Sequence, residues 1–177
     1  MQVNRERGFS LLELTIVVGI VAFMFYVALD KLLALAVNAE HVSVLQMEGS
    51  LQSALGIEVA FQLAQGKPIA QLTAMQNMNP MNLLSNRPSN YLGELDNPDP
   101  ASIDGGHWYF DTSNGELVYR VNHDRYFKDS LGQPARIEYQ IEVKRSNGNV
   151  VGVTLVTLTP YQWQTVPLNP LEYQNLR

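Results

Sequence analysis

The stretch "RERGFSLLELTIVVGIVAFMFYVALD", Arg5 to Asp30, decides how the chain is read. From Leu14 to Leu29 it carries no charge. At about 1.5 Å of rise per residue, a helix from Phe9 to Leu29 covers roughly 30 Å, the thickness of a hydrocarbon core. Its residues are apolar on every face, whereas a core helix of a soluble domain shows one stripe. A secretory signal has a shorter apolar run with a small-x-small cleavage site behind it. Here Leu29-Asp30-Lys31-Leu32 follows the run, and the small residue, Gly8, stands in front of it. Arg5 and Arg7 precede the run, and basic flanks favour the cytoplasmic side. The remainder of the chain is therefore expected across the membrane. One residue disturbs the pattern. Glu13 is an acid near one end of the run, and a charge at the centre of a membrane helix costs about 2.5–3.5 kcal/mol on insertion scales.

Quoted more narrowly, "RERG" followed by "FSLLEL" is a short basic leader, a glycine, Phe9, a small polar residue, two aliphatics and Glu13. This resembles the class III leader of type IV pilin-like proteins. The resemblance covers about 25 residues, and it implies a role for each position. Gly8 ends a leader of residues 1–8, prepilin peptidase cuts between Gly8 and Phe9, and Phe9 becomes the N-methylated first residue. Glu13 becomes the fifth mature residue, the acid that assembly uses. Many relatives have a proline where this chain has Asp30, so a helix break there loses its usual cause. The freed amine of Phe9 is cationic near neutral pH and offsets the cost of Glu13. Four residues separate the two, so they can meet within one helix. They can also pair between subunits, which the resemblance favours. A third reading leaves Glu13 in the headgroup zone with no partner.

Residues 9–29 are thus expected to form a transmembrane and filament-core helix, and residues 30–66 to continue it in the periplasm. No proline occurs between Met1 and Lys67. Val44, Met47, Leu51, Leu55, Val59 and Leu63 recur at steps of three or four and make one apolar stripe. Glu40, Glu48, Gln52 and Glu58 are the polar positions around it. Gly66-Lys67-Pro68 is a stop signal. The predicted helix runs from Phe9 to Gln65, on the order of 85 Å.

Residues 67–106 read as a connecting loop region, with a short helix over Ile69 to Met75 and prolines that oppose regular structure beyond it. Residues 107–159 then change period. "GGHWYFDTSNGELVYRV" is two strands around Asn114-Gly115, and "ARIEYQIEV" alternates Ile137, Tyr139, Ile141 and Val143 against polar neighbours. Asn147-Gly148 turns the chain into "VVGVTLVTLT". The prediction is a four-stranded antiparallel sheet with one apolar face, covered by the stripe on the helix. Residues 160–177 read as an irregular tail. The expected fold class is α+β and pilin-like.

The formal net charge is -5 with no basic cluster, which argues against nucleic acid, since phosphate binding needs grouped Lys and Arg. There is no cysteine, so the disulfide many pilins carry near the C-terminus is impossible. His41, His107 and His123 show no metal-ligand spacing. Asp96, Asp99 and Asp104 gather oxygens of the kind calcium takes, but without EF-hand spacing. His107, Asp111 and Ser113 invite comparison with a hydrolytic triad but lack a nucleophile elbow. His123-Asp124 reads as a solvated turn. No enzyme activity, cofactor or metal is expected.

The resemblance implies a structural subunit, a minor pilin, of a type IV pilus-like filament. It sits in the bacterial inner membrane with its C-terminal domain periplasmic before assembly, and in a pilus or pseudopilus after it. Its partners are other pilin subunits, prepilin peptidase, an assembly platform membrane protein, a motor ATPase and inner membrane lipid. The cysteine-free, sheet-rich head is similar, more weakly, to minor pilins of mannose-sensitive haemagglutinin type pili. Two alternatives stand beside this. One is a type II secretion pseudopilin; the other is a membrane-anchored periplasmic binding domain that never polymerises.

Overall fold

A computed structural model describes residues 10–164. They fall into two compact units, residues 10–38 and residues 39–164. One helix, α1 (Leu11–Ala64), contributes to both. Its bounds match the predicted helix closely, and it runs through Asp30 without a break.

In the first unit, every residue from Ser10 to Asp30 is exposed. This part of α1 is long and apolar enough to span a membrane. Thr15 hides its hydroxyl by donating to the Leu11 carbonyl at 2.9 Å.

The second unit is α+β. Residues 39–64 of α1 bury Val44, Leu51 and Leu55, with Met47 and Val59 packed at the edge of the same core. Leu63, predicted as the end of that stripe, is 43% exposed instead. Opposite the helix lies a sheet of five strands in the order β1-β2-β3-β5-β6. These are β1 (Tyr91–Leu95), β2 (Trp108–Asp111), β3 (Glu116–Arg120), β5 (Arg136–Ser146) and β6 (Asn149–Thr157). Three short 3-10 helices, Ile69–Met75, Pro80–Leu83 and Pro100–Ser102, lie between Ala64 and β2. Leu72, Met75 and Met81 from the first two join the core.

Two expectations are corrected. The sheet is five-stranded and mixed, not four-stranded and antiparallel. Its extra strand, β1, comes from the proline-rich connector and pairs parallel with β2. A parallel pair needs a long return path, and residues 96–107 make it. The other pairs, β2–β3, β3–β5 and β5–β6, are antiparallel. Secondly, residues 161–163, read as irregular tail, form β7 (Tyr161–Trp163), which pairs with β4 (Phe127–Asp129) as a separate ribbon. Phe127 stacks on Tyr161 at 5.3 Å and meets Trp163 edge-on at 5.2 Å. His41 of α1 stacks on Trp163 at 5.1 Å.

The sheet buries more than one face at its centre. Trp108 and Phe110 face the core with Leu117 and Tyr119, yet Tyr109 and Val118, paired on the opposite face, are also buried. Burial pushes the Tyr109 phenol up to about 12, even with the Arg136 guanidinium nearby.

Candidate functional site

Glu13 lies in the first turn of α1. Its backbone N–H donates to Ser10 Oγ at 3.2 Å. Ser10 stands just before the helix, so its hydroxyl caps one of the four N–H groups that a helix start leaves unpaired. Ser10-Leu11-Leu12-Glu13 spells a capping box, in which the acid three residues past the cap also favours the positive end of the helix dipole. Sequence reading missed this local role, although the S-x-x-E spacing was in view. Gly8 and Phe9 lie outside the described residues, as does any approach of Phe9 to Glu13. What is described is an exposed acid at the head of an uncharged, exposed apolar cylinder that includes Leu14, Ile20, Phe23 and Phe25.

The second unit presents a related surface. Every exposed residue of α1 between 39 and 64 is uncharged, from Ala39 and Val42 through Gly49 and Ser53 to Ile57 and Phe61. The three acids of this stretch, Glu40, Glu48 and Glu58, are all half-buried towards its flanks. Glu48 accepts from Gln52 Nε2 at 3.1 Å and Glu58 from Gln62 Nε2 at 2.8 Å. A Cβ added at Gly49 or Gly56 meets nothing within 4 Å. Helical glycines cost about 1 kcal/mol each relative to alanine, and packing inside this unit gives no reason for either.

Glu40 is the best-partnered acid. Its side chain is 7% exposed. Oε1 accepts from the Asn122 N–H at 2.6 Å and the Tyr119 hydroxyl at 3.0 Å. Oε2 accepts from the His123 N–H at 3.1 Å and pairs with His123 Nδ1. A carboxylate only accepts, so Nδ1 carries the proton. Burial, then the Glu40 charge, push the Tyr119 phenol far up. His123 is therefore no solvated turn; it clamps α1 to the loop after β3. Sequence alone could not find this, because the partners are 83 residues apart.

The triad residues go elsewhere. His107 Nδ1 contacts the carbonyls of Asp104 and Gly105, each at 3.2 Å, so it too carries the proton. Asp111 is buried and organises the β2–β3 turn. It accepts from Ser113 Oγ at 2.6 Å, Ser113 N at 2.9 Å and Asn97 N at 3.2 Å. Asp99 caps a 3-10 helix through the Ala101 N–H. Among the described residues, no group of three His, Cys, Asp or Glu side chains comes together in a way that could hold a metal ion. Compared with known proteins, the chain matches no family model, no curated protein and no solved structure.

Proposed function

We propose that this chain is a structural subunit of a type IV pilus-like filament, cut by prepilin peptidase between Gly8 and Phe9 and assembled out of the inner membrane. The observation that carries the reading is one helix with two uncharged outer surfaces. Residues 14–29 are uncharged and exposed all round, and residues 39–64 bury one face while leaving the other without a charge. In a membrane, helix–helix gain comes from packing and polar pairing rather than from release of water, and small residues let backbones approach. Gly49 and Gly56 fit that use on the second surface. Phe9, once freed, supplies the ammonium that pairs with Glu13 of a neighbouring subunit. The work of such a subunit is assembly, not catalysis, and its partners are other pilins, the peptidase, a platform protein and a motor ATPase. Service in a type II secretion pseudopilus uses the same chemistry.

One observation favours a different reading. The Ser10 cap accounts for Glu13 without any amine, and a plain membrane anchor for the sheet domain needs nothing more. Glu13→Gln separates the two, because glutamine also serves in a capping box but carries no charge. Loss of incorporation into sheared filaments, with normal processing, supports the ion pair; wild-type incorporation removes it. Gly8→Ala should leave the precursor uncut in the membrane. A mass spectrum of the wild-type chain that still starts at Met1, from cells that process their other prepilins, would overturn the filament reading.

A further inference from the structure

The two Asn-Gly turns are spelled alike and built differently. Asn147-Gly148 joins β5 to β6 with both residues exposed. Their φ angles are +49° and +80°, the left-handed pair a type I′ turn needs. Neither the Asn147 side chain nor the Gly148 N–H makes a hydrogen bond among the described residues, and a Cβ at Gly148 meets nothing within 4 Å. Exposed Lys144 and Arg145 stand just upstream.

Asn114-Gly115, between β2 and β3, is locked. The Gly115 N–H donates to the Asp111 carbonyl at 2.9 Å. Asn114 Nδ2 donates to Asp111 Oδ2 at 3.3 Å, and the Asn114 carbonyl accepts from Gln140 Nε2 at 3.2 Å. Gly115 is buried, and a Cβ there would come within 2.6 Å of Asn77 Cβ.

We propose that Asn147 is a site of spontaneous modification to aspartate and isoaspartate, and that Asn114 is protected by its fold. Solvent base takes the Gly148 amide proton, and that nitrogen attacks Asn147 Cγ. The new N–Cγ bond closes a cyclic imide. The Cγ–Nδ2 bond breaks, and Nδ2 leaves as ammonia after taking a proton from water. Water then opens either imide carbonyl, giving the acid on the ordinary or the isomerised backbone, with no change of oxidation state. The cations beside Asn147 favour the nitrogen anion, whereas Asp111 and Glu116 beside Asn114 oppose it. The product places a negative charge, and sometimes an extra backbone atom, at an exposed hairpin tip.

The test is peptide mass mapping of the full chain in detergent micelles, incubated at mildly alkaline pH and sampled over time. The Asn147 peptide should gain its acid and isomerised forms about tenfold faster than the Asn114 peptide, the factor that about 1.4 kcal/mol carries. In denaturant the two rates should converge. Equal rates in the folded chain, a faster Asn114, no conversion at either site, or a difference that survives denaturation would each overturn the proposal.

Discussion

Two stretches of α1 solve the same problem in opposite ways. Residues 10–30 are exposed on every side and hold a carboxylate near each end, Glu13 at the capped start and Asp30 at the other. Residues 39–64 hold three carboxylates, each turned to the flank of a packed face and each given donors. Between Glu13 and Asp30 the first stretch has no charge to hide. The second has charges and keeps them off its exposed side. Exposure on a helix is thus a poor guide to polarity in this chain, and the depleted surfaces are those the proposed filament would cover.

The two stretches differ most at Leu51. It is 0% exposed within the core, so Leu51→Ala should cost about 2–5 kcal/mol through lost contacts and a residual cavity. Leu29, 63% exposed, should tolerate the same change within about 0.5 kcal/mol. Denaturant unfolding of the full chain in micelles, followed by tryptophan fluorescence, reads both. Comparable losses at the two sites would mean that the first stretch is packed after all.

Glu40 gives the next effect. Glu40→Ala removes the acceptor for two N–H groups, the Tyr119 hydroxyl and His123 Nδ1 together. Tyr119 is 4% exposed, and a buried polar group left unpaired adds its desolvation penalty, so about 2–3 kcal/mol should be lost. The same change at Glu13 should leave the unfolding of residues 39–164 unaltered. A small loss at Glu40 would mean that water replaces the carboxylate cheaply.

How much of this was legible follows from the range of each interaction. The helix and the positions Val44, Leu51 and Leu55 announce themselves because their spacing is local. Leu63 obeys the same spacing and is exposed, since periodicity marks a face but not how far the covering sheet reaches. The antiparallel hairpins carry Asn-Gly turns, again local. Strand β1 has no such mark: it is short, contains Gly93 at a φ of +101°, changes register between Tyr91 and Glu94, and pairs parallel with a strand beyond a long loop. β4 and β7 span three residues each, too few to show a period. The Glu40–His123 clamp depends wholly on tertiary approach. At the candidate site, Glu13 was visible as an anomaly, and its capping partner Ser10 was visible and overlooked.

Gly49 lies on the exposed side of the second stretch. Gly49→Ala should stabilise the isolated chain by about 1 kcal/mol, because the added Cβ meets nothing. If the glycine exists for close approach of a neighbour, incorporation into filaments should fall while the melting temperature rises. A variant that is both stabler and fully incorporated would leave the glycine without that purpose.

The smallest effect asks where the chain puts charge instead. Asp111 and Glu116 face each other across β2 and β3. Burial, then the charges of Glu138 and Asp111, hold the Glu116 carboxyl above its ordinary value of 4.5, against the pull of Arg136. A raised folded pKa means that the folded state binds this proton more tightly than the unfolded state. The group's contribution to stability is therefore most favourable at low pH and declines as pH rises from 4.5 through the raised value. Above that window the charged carboxylate is a standing cost. Glu116→Gln should then raise stability at neutral pH by about 0.5 kcal/mol, the scale of a cross-strand like-charge pair, and give no gain once both states are protonated. Unfolding midpoints across that pH range test it. Such a gain would show that the chain tolerates crowded acids on its sheet while placing none on the exposed side of residues 39–64 of α1, so that bare helix surface is not explained by a shortage of charge. A gain that persisted unchanged at low pH would point to packing at Glu116 rather than repulsion.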